Sequence, residues 1–109
     1  MSNETEKKLG QLQLLEQGLQ NFAAQKQQFQ SQFIEIESAL AELEKTEKAY
    51  KIVGNIMIAA KKEELKEELK KRKEMFEIRI KTIEKQEDKM KEKASRMQSE
   101  ILGEMKGEE

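Results

Sequence analysis

Tyr50-Lys51-Ile52-Val53-Gly54-Asn55-Ile56-Met57-Ile58-Ala59 holds one charged residue, in a chain of 109 residues of which 39% are Asp, Glu, Lys or Arg. On either side the sequence has the period of a long amphipathic helix, so this decapeptide sits where two helices meet. A bend between coiled-coil helices needs only a short polar loop. This one is rich in β-branched residues, which prefer strands, and has Gly-Asn at its centre. It reads as a β-hairpin, and the same residues argue against a helix continuing through the bend. A two-residue Gly-Asn loop suits a type II′ turn and pairs Val53 with Ile56, Ile52 with Met57, Lys51 with Ile58 and Tyr50 with Ala59. Tyr50, Ile52, Met57 and Ala59 then share one face, and Lys51, Val53, Ile56 and Ile58 the other. Both faces are largely apolar, and both outer edges carry unpaired backbone groups, which soluble proteins usually cover or charge. A lone hairpin is marginal in water. Faces and edges together call for strands from other subunits, most simply a closed intermolecular barrel.

N-terminal to the hairpin, apolar residues alternate at spacings of three and four: Leu12, Leu15, Leu19, Phe22, Phe29, Phe33, Ile36, Leu40 and Leu43, with Lys26 breaking the series. That spacing keeps one seam against a partner helix. It predicts a helix over about 4–46, extending roughly 60 Å at 1.5 Å per residue. Asn3 with Glu6 resembles a capping box, and Ser2 would serve as cap equally well. Gly10 and Gly18 fall off the seam and read as local softness, each costing about 1 kcal/mol relative to Ala. Residues 11–32 hold nine Gln and two charges, Glu16 and Lys26. This is either a neutral solvated face or a tolerant surface for a variable ligand.

C-terminal to the hairpin a second helix is predicted over about 61–105. Its seam is Leu69, Phe76, Ile80, Ile83, Met90, Ala94, Met97 and Ile101, interrupted by Lys73 and Glu87. Glu67 with Lys71, Glu68 with Arg72, Glu77 with Lys81, Glu87 with Lys91 and Glu92 with Arg96 are spaced as i,i+4 ion pairs, each contributing about 0.2–0.5 kcal/mol. Folding at Gly54-Asn55 makes the helices antiparallel, with Leu43 near Leu65, Phe33 near Met75 and Phe76, and Leu12 near Met97. Leu9, Leu12, Leu14 and Leu15 then gather with Met97, Ile101, Leu102 and Met105, where fraying helix ends expose them intermittently. Adaptable Met side chains suit promiscuous binding, although Met90 taken singly reads as seam filler.

Composition excludes much else. The chain has no Cys, His, Trp or Pro, so disulfides, thiolate metal sites, cysteine nucleophiles and histidine catalysis are absent. No stretch approaches the ~18 apolar residues of a membrane span. The first ten residues lack the apolar core of a signal peptide, and a cytoplasmic protein without cofactor or metal is expected. Net charge is −1, but it is uneven: residues 61–96 are basic, whereas Glu100, Glu104, Glu108 and Glu109 outweigh Lys106 in the tail.

Helix, short hairpin opening Tyr50-Lys51-x-Val53-Gly54, second strand Ile56-Met57-Ile58 and returning helix together resemble the beta-class subunits of archaeal-type prefoldin. Gln25-Lys26-Gln27 and Lys85-Gln86-Glu87 add to the resemblance, which covers nearly the whole chain as a single domain. The link from Leu43 to Tyr50 departs from the pattern in being shorter and lacking Pro. The resemblance implies a mainly α fold, an antiparallel two-helix coiled coil whose hairpin joins an intersubunit β-barrel. It implies assembly of two alpha-class with four beta-class subunits through Tyr50, Ile52, Val53, Gly54, Ile56, Met57 and Ile58. Unfolded client proteins would be held, without ATP, at Leu9, Leu12, Leu14, Leu15, Met97, Ile101, Leu102 and Met105, then delivered to a group II chaperonin. Glu104, Glu108 and Glu109 would dock on that chaperonin, or else form a solubilising end.

Other classes fit less well. A structural coiled-coil tether or scaffold predicts parallel dimers and no strands at residues 50–59. Nucleic-acid binding through the basic helix lacks aromatic stacking platforms and has acids interleaved among its Lys. Catalysis by the many Glu lacks a pocket.

Overall fold

A computed structural model describes residues 2–107 of the chain. Helix α1 spans Asn3–Lys45, strands β1 and β2 span Ala49–Val53 and Ile56–Ala60, and helix α2 spans Lys62–Gly107. The strands pair antiparallel in a two-stranded sheet, in the register Val53 with Ile56, Ile52 with Met57, Lys51 with Ile58, Tyr50 with Ala59 and Ala49 with Ala60. The fold class read from the sequence, two long helices with a hairpin between them, is the observed one. The boundaries differ from expectation by one or two residues, the usual scatter at element ends.

Helix α1 is capped by Ser2. The Thr5 amide donates to Ser2 Oγ at 3.1 Å, and the Glu6 amide donates to the Ser2 carbonyl at 3.1 Å. The alternative box from Asn3 is not used, because Asn3 already lies inside the helix. Glu4 and Glu6 in the first turn of α1, and Glu63 and Glu64 in that of α2, complement the positive ends of the helix dipoles. Three residues join α1 to β1. Within that short link the Thr46 hydroxyl donates to the Lys48 carbonyl at 3.1 Å, so a side chain tightens a turn made without proline.

The described residues divide into two units, one from Gln28 to Ile80 and one from the residues up to Gln27 with those from Lys81 onward. In the hairpin unit, Ile36, Leu43, Ala49 and Phe76 are buried. The Phe29 and Phe76 rings lie tilted with centroids 5.8 Å apart, an arrangement favoured by their quadrupoles. The Arg79 guanidinium stands 5.6 Å from the Phe29 centroid and 5.9 Å from that of Phe76. Lys73, which interrupts the second seam, lies 5.5 Å from the Phe33 centroid and 3.7 Å from Glu37. A seam cation is thus accommodated by a ring face and a carboxylate. Lys66 pairs with Glu44 across the helices. These contacts run in opposite senses along α1 and α2, so the helices of this unit are antiparallel.

The terminal unit buries Ile83, Ala94 and Ile101 together with two polar side chains, Thr5 and Glu87. Leu12, Leu15, Leu19 and Phe22 are half-buried along the facing seam. Lys26 and Glu87 each interrupt their own seam, and here they meet: Lys26 Nζ donates to Glu87 Oε1 at 2.7 Å. Two apparent faults in the apolar pattern are therefore one ion pair, whose carboxylate is shielded from water. None of the five expected i,i+4 pairs closes to ion-pair distance among the described residues. Glu87 is instead drawn across the seam to Lys26, and the other four lie on exposed helix surface where water solvates each charge well.

Gly18 also differs from expectation. It is half-buried, and a Cβ placed there would lie 2.9 Å from Met90 Cε and 3.1 Å from its sulfur. The missing side chain makes the hollow that receives Met90. Gly10 has nothing within 4 Å of such a Cβ, so the reading of a simple helix weakness stands there alone.

Candidate functional site

Gly54 has φ +62°, and no other residue among those described has a positive φ. A positive angle at the first turn position, followed by a negative one at Asn55, is the type II′ pattern, whose twist matches that of the strands it joins. In a two-residue hairpin the pair flanking the turn is the hydrogen-bonded one, and bonding alternates from there. Val53 with Ile56 and Lys51 with Ile58 therefore exchange backbone bonds. The amides and carbonyls of Tyr50, Ile52, Met57 and Ala59 point outward along the two free edges. No other element of the described chain hydrogen-bonds to either edge through its backbone.

The side chains are as uncovered as the edges. Tyr50 is 54% exposed, Ile52 69%, Val53 55%, Ile56 66%, Met57 66% and Ile58 41%. Both faces carry these residues, because Ile52 and Met57 lie on one and Val53, Ile56 and Ile58 on the other. Apolar area removed from water contributes about 25 cal/mol per Å², so a surface of this kind strongly favours a partner. A groove of about 560 Å³ runs beside β1, bounded by Ala39, Leu65, Leu69 and Arg72 of the helices. Sequence reading missed those four. Leu65 and Leu69 read as contacts between the helices and Arg72 as an exposed partner of Glu68, so none of them pointed to the hairpin, and Ala39 carried no signal.

The terminal unit holds a second constellation. The Thr5 hydroxyl, fully buried, donates to Glu104 Oε2 at 2.7 Å and lies 2.7 Å from Ser2 Oγ. Lys8 pairs with Glu104 and approaches Glu100 at 3.5 Å. The bonds from Lys8 and then Thr5 hold the Glu104 carboxyl below its ordinary range, and the bond to Glu104 raises the Lys8 ammonium. By the same physics Glu87 raises Lys26, Glu44 raises Lys66, and Lys66 lowers Glu44. The two seams thus extend past Leu12 and Ile101 as a polar clasp.

Around the clasp, Leu14 is 69% exposed, Leu102 60% and Met105 44%. Leu9, Leu12, Leu15 and Met97 are half-buried, and Ile101 is buried in the seam. Leu14, Leu15, Met90 and Met97 line a groove of about 550 Å³ whose rim carries Gln11, Lys93, Arg96 and Glu100. The sequence did not mark Met90, Lys93 or Arg96 as site residues, since Met90 read as seam filler, Arg96 as the partner of Glu92, and Lys93 as a solvated charge. Glu104 is engaged inside the unit, and Glu108 and Glu109 lie outside the described residues. No group of three or more acidic, His or Cys side chains is arranged to hold a metal among the described residues. Nor is any helix among them long and apolar enough to cross a membrane.

Comparison with known proteins agrees with this architecture. A family model described as prefoldin subunit matches residues 6–108. The chain is 41% identical over 96 residues to the prefoldin subunit beta of Archaeoglobus fulgidus, covering 85% of this chain and 83% of that one. It is 35% identical over 108 residues to that of Methanothrix thermoacetophila, covering 94% and 90%. The crystal structure of the prefoldin beta subunit from Thermococcus strain KS-1 superposes with a TM-score of 0.87 at 32% identity, over 94% of this chain and 92% of that one.

Proposed function

Because the chain belongs to the prefoldin subunit family, we propose that it is a beta-class subunit of an ATP-independent holdase. In this reading it captures unfolded proteins and delivers them to a group II chaperonin. A chaperone role, in an oligomer with other prefoldin subunits, follows from membership, and the family is not a class of enzymes. The two strands remove the tether or scaffold reading, which has no use for them.

The observation that carries the proposal is the hairpin with two exposed apolar faces and two open edges. Tyr50, Ile52, Val53, Gly54, Ile56, Met57 and Ile58 make the assembly surface, their edges completed by strands of neighbouring subunits in a β-barrel. Two alpha-class subunits complete a hexamer with four copies of this chain, which works in the cytoplasm. Leu9, Leu12, Leu14, Leu15, Met97, Leu102 and Met105 hold clients, with Ile101 as the buried support beneath them. Exposed Leu14, Leu102 and Met105 cannot satisfy one another along a single helix pair, and so remain available to an unfolded segment. Glu104, Glu108 and Glu109 dock on basic protrusions of the chaperonin, Glu104 exchanging Lys8 for a chaperonin cation. Native mass spectrometry of the chain mixed with an alpha-class subunit tests the assembly. A discrete hexamer of two alpha and four beta is expected, and a stable monomer or simple dimer overturns it.

A further inference from the structure

The groove between Leu14, Leu15, Met90 and Met97 combines an apolar floor with an unbalanced rim. Of its charged residues, Glu100 lies 3.5 Å from Lys8, so its carboxylate is already partly neutralised. Lys93 and Arg96 have no ion-pair partner among the described residues, and the spacing of Glu92 to Arg96 does not close into a pair. Two cations therefore border an open apolar cleft with no counter-charge of their own. The floor is adaptable, since Met90 reaches over to Gly18 by the tip of its flexible side chain and thioethers repack cheaply.

Resting on the client-capture reading above, we infer that this groove selects among unfolded segments. It seats a bulky apolar side chain that has an aspartate or glutamate beside it in sequence, the acid meeting Lys93 and Arg96. Segments with a basic neighbour are disfavoured by the same two charges. Charge complementarity names the occupant: a rim of uncompensated cations favours an acidic-apolar stretch of chain over a neutral or basic one.

Two labelled peptides test this, identical except that a central Leu-Phe pair is flanked by Asp in one and by Lys in the other. Fluorescence anisotropy against the full-length chain should show the Asp peptide binding about fivefold tighter at low salt, as expected of two solvent-exposed ion pairs. The preference should shrink at ~1 M salt. Lys93 and Arg96 lie on the exposed surface of α2, so K93E/R96E should keep its helicity by circular dichroism while inverting the preference. Leu14→Ser should weaken both peptides alike. Equal affinity for the two, or a preference that survives K93E/R96E, overturns the inference. So does a change of oligomeric mass in K93E/R96E without a change in peptide binding, which would give the groove to a second copy of the chain. Suppression of client aggregation, followed by light scattering, reads capture separately. Suppression without charge preference refutes the selection alone, and loss of suppression by the unaltered assembly refutes capture itself.

Discussion

Replacing Gly54 by Ala asks an L residue to hold φ +62° at the first position of the turn. Nothing lies within 4 Å of the added Cβ, so no side-chain clash contributes and the whole cost is backbone. The left-handed region costs a residue with a Cβ about 1–2 kcal/mol. The stiffer unfolded chain returns part of this, leaving a net destabilisation of about 1 kcal/mol. Gly10→Ala introduces the same methyl group into equally open space but inside α1, where it should stabilise by about 1 kcal/mol. Gly18→Ala has the same helical gain, yet it pushes Met90 Cε from 2.9 Å. Because that atom ends a flexible side chain, the two effects should nearly offset. Amide hydrogen exchange on the full chain reads each site locally. In Gly54→Ala the bonded amides of Lys51, Val53, Ile56 and Ile58 should exchange about fivefold faster, the factor corresponding to about 1 kcal/mol. Gly54→Asn should lie between, since Asn tolerates positive φ better than Ala. Unchanged or slower exchange in Gly54→Ala would refute the type II′ assignment, and with it the alternation of bonded and open edge groups.

Three more outcomes are expected. For the ion pair across the seam, Lys26→Met or Glu87→Leu alone should lower the thermal midpoint more than the double variant does. A lone buried charge is worse than none, and midpoints that simply add would show that the pair is not coupled. With pH, Glu104 and Glu44 are held below their ordinary 4.5 in the folded chain, so their stabilisation is present above 4.5 and lost as pH falls through the folded values. Lys8, Lys26 and Lys66 are raised above 10.5, so theirs is intact below 10.5 and lost as pH rises through the folded values. Melts followed by circular dichroism should show a plateau between those limits, and Glu104→Gln should shrink the acid limb. Finally, removing residues 1–9 and 98–109 should leave assembly intact by native mass while reducing suppression of client aggregation. Undiminished suppression would place capture elsewhere in the chain.

Much of the fold was legible because its signals are local. The Gly-Asn loop sets the strand pairing from within, since a two-residue turn leaves one register that brings Val53 opposite Ile56. Leu12, Leu15 and Leu19 repeat on one helical face whatever they pack against. The sites were harder. Ile101 and Leu102 were both expected to hold clients, yet one is 5% and the other 60% exposed, because Ile101 continues the α2 seam into the helix pair and Leu102 lies beside it. Thr5, Lys8 and Glu104 continue the two seams with polar residues, and an apolar pattern does not reveal that continuation. Lys93 and Arg96 looked like ordinary solvated helix charges until the cleft beside Leu14 and Met97 distinguished them.

The elements, their order, the hairpin register and its two apolar faces were all determined by the residues, because each depends on neighbours a few positions away. Partnerships across the seam were decided by tertiary structure alone. Lys26 finds Glu87 across a separation of 61 positions and Thr5 finds Glu104 across 99, while Lys91, the expected partner of Glu87 along α2, is left aside. Long flexible charged side chains have many partners within reach along a helix, each worth little in water. The shielded seam between two helices, where a charge left alone is costly, decides which of those partners prevails.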